Sequence, residues 1–202
     1  VVGNIERSET VHAILDAADL LFERYGYRKT TVEEIAQAAG IGKGSLYLHF
    51  RSKEDLAVDW LHRVHERIIE EMEAEVDGDA ATVIRALLHR RVLIRFDLAE
   101  RLSRSFVDVV GDLKGKMQAH RVAYQRREAE IFARVIDRGI DEGSFSPTNS
   151  KEAGFALVLS VSGLLPYHVS PQCLGTREEI VHQVDAVANL CLLGLIARPS
   201  TN

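Results

Sequence analysis

Lys43, Ser45, Tyr47 and His49 offer an ammonium, a hydroxyl, a phenol and an imidazole along one short stretch of chain. These are the groups proteins use on phosphate oxygens and on the edges of bases. Leu46 and Phe50 stand among them at i,i+4. A helix through the stretch therefore buries one apolar stripe and leaves the polar groups on other faces. Gly42 and Gly44 flank Lys43 and would let a duplex approach the backbone closely. Lys43 could donate to guanine O6 and N7. Thr31 and Lys53 fall at helix starts, where free N–H groups attract anions. Leu48 can touch a thymine methyl or a sugar, or simply pack. A phosphate-cradling loop of the Walker type does not fit: Gln37 stands where it needs glycine, and Gly44 where it needs Ser or Thr.

The elements that must position these groups are legible around them. Thr31 can cap a helix, and Glu34 three residues later completes a capping box. Val32, Ile35, Ala36 and Ala39 follow at helical spacing. Ala36 is small enough for a close helix crossing, Gly40 can supply the positive φ of a turn, and Leu46 seats a second helix on the first. The segment reads as a helix-turn-helix, which places its second helix in the major groove of DNA. An ordinary helical hairpin with a glycine turn is the plain alternative.

The run Leu46-Tyr47-Leu48-His49-Phe50-Arg51-Ser52-Lys53-Glu54, with the helix before it, closely resembles the DNA-binding domain of the TetR family of bacterial transcriptional regulators. The resemblance covers about Val11 to Leu56. It implies an all-α fold with a three-helix N-terminal helix-turn-helix domain over 1–53 and a larger C-terminal helical ligand-binding and dimerisation domain over 54–202. It also implies phosphate contacts from Thr31, Tyr47, His49 and Lys53. A small molecule bound between the middle helices would shift the spacing of two reading heads. One head reads few base pairs, so a C2 homodimer is expected, with recognition helices about 34–36 Å apart on a palindromic operator.

Composition bounds the rest. The 202 residues carry a net charge of −5, which argues against indiscriminate nucleic-acid binding. Between Arg24 and Lys53, however, the local balance is +4, leaving −9 elsewhere. A basic head on an acidic body suits binding along one edge. An apolar content of 46% supports a full core. No apolar stretch is long enough to span a bilayer, and no charged-then-apolar leader opens the chain. Cys173 and Cys191 suggest no disulfide framework, so a reducing cytoplasm is the expected location.

Outside the head, periodicity predicts helices over 10–24, 52–75, 79–98, 99–111, 115–139, 149–166 and 178–196, broken at Gly26, 77–79, Gly111, 143–147 and 169–176, with no alternating β pattern. The small stripe Ala153, Ala156, Ser160, Gly163 and the apolar face including Val181, Val184, Ala188 and Leu192 are the expected dimer interface, with intramolecular core as the alternative. Arg91 and Arg95 continue the apolar stripe of Ile84 and Leu88, where an unpaired cation costs several kcal/mol, roughly. They face either an anionic ligand or a carboxylate: Asp97, Glu100 or one on another helix. Trp60, Phe96, Phe106, Met117 and Tyr124 could line a pocket with them. His62 and His65 lack the further ligands a metal site needs. No cofactor is implied and no enzyme constellation stands out. The sequence thus predicts a dimeric, DNA-binding transcriptional regulator, a repressor released by a small-molecule effector. The rival reading is a helical small-molecule-binding or enzymatic protein with a vestigial head.

Overall fold

The computed structural model describes the backbone of residues 2–102, 104–146, 149–166 and 171–196; side chains are described from residue 9 onward, except 103–108, 110, 114, 118, 119, 171 and 172 within those ranges. Among the described residues every regular element is helical. The elements are α1 (Val2–Tyr25), α2 (Val32–Ala38), α3 (Lys43–His49), α4 (Lys53–Glu73), α5 (Ala80–Leu102), α6 (Arg104–Asp141), α7 (Ser150–Ser160), a 3-10 turn (Ser162–Leu164), α8 (Pro171–Leu174) and α9 (Arg177–Leu195). None is long and apolar enough to cross a membrane.

Helix starts follow local chemistry. Ser52 Oγ accepts the Asp55 N–H at 3.1 Å at the start of α4. Asn149 Oδ1 accepts from Glu152 at 3.2 Å at the start of α7. Thr176 and Glu179 form a reciprocal capping box on α9. Gly26, at φ 88°, ends α1.

α1 and α4 pack together beside the short α2–α3 pair, and α5 lies within the body against α4, α6 and α9. One continuous apolar core runs from Ile14 and Phe22 through Leu56 and Trp60 to Val92, Phe132 and Val184. α7 crosses α6 at close range. A Cβ on Gly154 would lie 2.5 Å from the Ala129 carbonyl oxygen and 3.0 Å from the Ala133 nitrogen. The small residue that lets helices meet is therefore Gly154, inside one protomer.

Several boundaries differ from expectation. α6 runs unbroken through Gly111 and Gly115. Each glycine costs a helix about 1 kcal/mol, a local penalty offset by burial of Val109, Leu113, Tyr124 and Phe132 on the same helix. α5 continues to Leu102, so the break lies between it and α6 rather than at 98. The helix expected over 149–166 stops at Ser160, where Val161 leaves helical geometry at φ −103°, ψ 6°. Of the break expected over 169–176, Pro171–Leu174 forms one short helix.

Candidate nucleic-acid interface

The head is built from the inside out. Ile35, Ala36, Leu46 and Phe50 are at most 3% exposed and clamp α3 onto α2. Gly40 turns the chain at φ 71°, and the Ile41 N–H closes the turn on the Ala36 carbonyl at 3.0 Å. Thr31 caps α2: its Oγ1 accepts the Glu34 N–H, and Glu34 Oε2 accepts both the Thr31 N–H and hydroxyl at 2.8 Å. With its inner face anchored, α3 presents Lys43, Gly44, Ser45, Tyr47 and Leu48 to solvent, beside exposed Gly42 and Thr31. Leu48 is 80% exposed, the most exposed large apolar side chain described. An apolar group so placed has little to gain from water and can meet a thymine methyl.

Two of the expected contact residues, Lys43 and Lys53, have partners that the sequence did not reveal, and a third, His49, is partly enclosed. Lys43 Nζ forms an ion pair with Glu33 on α2 and lies 5.9 Å from the centre of the Tyr47 ring. The hydrogen bond from Lys43 holds the Glu33 carboxyl below its ordinary range, and Glu33 in turn holds the ammonium above its own. His49 is half-buried at the end of α3, with Nδ1 enclosed and, among the described residues, lacking a hydrogen-bond partner. Lys53 turns inward. Its Nζ donates to the Tyr27 and Thr30 carbonyls at 3.0 and 3.1 Å, reaches the Arg28 carbonyl at 3.5 Å, and sits 4.5 Å from the Tyr27 ring centre. That geometry makes Lys53 a clamp on the loop between α1 and α2. Burial, with Glu54 and Asp112 nearby, pushes the Tyr27 phenol up to about 12.

Ion pairs tie the head to the body. Arg28 makes a two-pronged contact with Asp112 of α6 at 3.0 and 3.1 Å, and Lys116 of α6 reaches Asp55 of α4 at 2.9 Å. Arg63 pairs with Asp16 across α4 and α1. Trp60, expected in a pocket, lies in this seam: its Nε1 donates to Asp19 at 2.8 Å and its ring meets Phe22 edge-on at 5.2 Å.

In the body, Arg91 and Arg95 meet a carboxylate from another helix, Glu128 of α6. Arg91 Nε bonds Glu128 Oε2 at 2.8 Å, Arg95 bonds Oε1, and Arg95 Nη1 caps the Arg91 carbonyl at 2.8 Å. Asp97, the in-helix candidate, pairs with Arg177 instead, at 2.9 Å. Burial alone would raise the Glu128 carboxyl, but the guanidiniums of Arg95 and Arg91 outweigh it and hold it below its ordinary value. Tyr124 is buried with His65 stacked on it at 4.4 Å, and its hydroxyl shares a 2.6 Å hydrogen bond with His62 Nδ1. Burial, and then Arg95, bring the His65 imidazole down to about 4. Phe96 is core, Met117 is half-buried against the apolar core, and the Phe106 side chain lies outside the described residues.

The expected interface residues divide by face. Val184, Ala188 and Leu192 are buried, on the face of α9 that meets α5, and Val181 and Ala153 are half-buried. Burial within the protomer fits the alternative, intramolecular core, for Val184, Ala188 and Leu192. Ala156, Ser160 and Gly163 are exposed, and so are Phe155, Leu159, Leu190 and Leu193, which sequence reasoning passed over. Period finds one wide apolar face on α9; only the position of α5 shows that leucines outside it, Leu190 and Leu193, are left exposed.

A family model described as "Bacterial regulatory proteins, tetR family" matches residues 14–59, the region that contains α2 and α3. The HTH-type transcriptional regulator TtgR of Pseudomonas putida is 35% identical over 165 residues, covering 76% of this chain and 78% of that protein. The HTH-type transcriptional repressor KstR2 of Mycobacterium tuberculosis is 30% identical over 147 residues, 66% of this chain and 68% of the relative. Among solved structures, a SmeT–triclosan complex shares the fold with a TM-score of 0.63 at 24% identity, covering 95% of this chain and 96% of that one. An outward polar edge on α3, held from behind by Leu46 and Phe50 at the matched positions, fits these likenesses, and the chain belongs to the tetR family of bacterial regulatory proteins.

Proposed function

We propose that this protein is a homodimeric repressor that binds a palindromic operator through α3 and is released by a small apolar or amphipathic effector. The observation that carries the reading is the division of α3 into a buried face, Leu46 with Phe50 behind it, and an exposed edge of Lys43, Ser45, Tyr47 and Leu48. Lys43 and Ser45 sit in the first turn, where side chains reach base edges. Tyr47 and Thr31 would touch phosphates, with His49 at the helix end. KstR2 is a repressor by name, which supports the sign of the effect, and SmeT holds triclosan, which supports a small-molecule effector.

A second copy of the chain is the proposed partner for the spare faces of α7 and α9. Leu159, Leu190 and Leu193 are between 50% and 72% exposed, and burying them stabilises association by about 25 cal/mol for each Å² removed from water. The effector would act on the body between α4, α5 and α6. Its signal has a physical route to the head, because Asp112 and Lys116 of α6 grip Arg28 and Asp55. Such an effector must favour the head spacing that fits DNA poorly.

The test is selection of duplexes from a random pool, followed by binding at several salt concentrations and by sedimentation. Palindromic, salt-sensitive binding by a dimer is expected. A monomer at micromolar concentration, or no sequence preference, would overturn the reading.

A further inference from the structure

The ion pair between α2 and α3 does more than decorate the head. Glu33 lies in the first turn of α2 and Lys43 in the first turn of α3. Their side chains are 55% and 53% exposed, so neither is held there by burial. The pair stands beside Tyr47 on the edge of α3 that faces outward. A free lysine on a flexible stem can settle on any phosphate, and that is the sequence-blind part of DNA binding. A lysine already matched to a carboxylate gains little from a phosphate, and the carboxylate repels it.

We infer that Glu33 is a specificity-determining residue, and that Glu33 and Lys43 act as one unit that reads a G·C pair in the major groove. The inference rests on the DNA-binding reading above. The chemistry of the edge fits the pair. Guanine presents two acceptors, N7 and O6, and its partner cytosine presents the N4 amino donor beside them. An ammonium has three N–H donors; with one on Glu33, two remain for N7 and O6. The Glu33 carboxylate keeps lone pairs for the cytosine N4–H. An A·T pair puts an amino donor where guanine has O6, opposite the ammonium, and an acceptor where cytosine has its donor, opposite the carboxylate. Both halves of the unit then meet a group of their own kind.

The experiment compares the wild-type protein with Glu33→Gln. Each is used to select duplexes from a random pool, and each is then titrated on the wild-type selected duplex and on a scrambled duplex of the same composition at several salt concentrations. Glu33 is exposed, so matched thermal unfolding of the two proteins serves as the check on folding. The wild type is expected to fix a G·C pair in each half-site. Glu33→Gln is expected to lose that preference, to narrow the gap between selected and scrambled duplex about tenfold, and to steepen the salt slope on scrambled DNA by about 0.9 per head as Lys43 becomes free for phosphate. If the wild type selects no sequence, the DNA-binding reading itself fails. If the wild type is selective and Glu33→Gln keeps the same preference and slope, the reading stands and this inference is overturned. Tighter binding to both duplexes by an equal factor, with the base preference intact, also overturns it, since Glu33 would then be a repelling charge and nothing more.

Discussion

Head and body each hold lysine or arginine against a glutamate, and the two arrangements sit at opposite extremes of burial. In the head, Lys43 and Glu33 are both more than half exposed. In the body, Arg91, Arg95 and Glu128 are at most 3% exposed. An exposed pair contributes little to stability. A buried pair is on balance no more stabilising than a packed apolar cluster of its size, but removing one member strands a charge away from water. The exposed Lys43–Glu33 pair can thus meet a ligand as a pair, and the buried charges of the body belong to the scaffold that aims it.

The contrast is broken most severely at Glu128. Glu128→Gln leaves two guanidiniums in the core and is expected to cost about 3–5 kcal/mol, read as a lower urea midpoint. Acid gives the next effect. His65 titrates near 4 in the folded protein and near 6.5 when unfolded. Between those values the unfolded chain binds the extra proton, so this part of the stability is complete above pH 6.5 and is lost as pH falls towards 4. The loss should reach about 3 kcal/mol, and His65→Phe should flatten that stretch of the stability–pH curve. Gly154→Ala presses a methyl against the Ala129 carbonyl and should cost about 1–3 kcal/mol, seen as a lower thermal midpoint with an unchanged head. The smallest change sharpens the comparison inside the head itself. Lys53→Met removes the clamp on the Tyr27 and Thr30 carbonyls and should cost about 1–2 kcal/mol. Its salt slope on DNA should stay as in the wild type, whereas a phosphate-binding Lys53 would flatten the slope by about 0.9 per head.

The head was legible in sequence because its signals are local. Thr31 with Glu34, Gly40, and Leu46 with Phe50 act within a turn or two of each other, so spacing alone orders them. Lys53 shows where that logic ends: its position at a helix start suits an anion, but the carbonyls that claim it belong to residues 27–30, brought there by folding. The same holds for Lys43, whose partner on α2 no helical period connects to it. In the body, period showed that Arg91 and Arg95 lie on a core stripe and so need a carboxylate. It could not choose Glu128 over Asp97, because that depends on how α6 crosses α5. Gly111 looked like a stop because a glycine in a helix is a local penalty, while the burial that carries α6 past it is long-range. On α9 the apolar face found by period was the inner one, and the outer leucines emerged only once α5 was in place.

The central claim is that the exposed edge of α3 reads base pairs while its other face holds it in place. The most direct measurement is the base preference of Lys43→Ala, taken by sequencing duplexes it selects from a random pool beside those the wild type selects. The account predicts weaker binding and a relaxed preference at one position in each half-site, with the remaining positions kept. An unchanged preference at every position, at unchanged affinity, would contradict it.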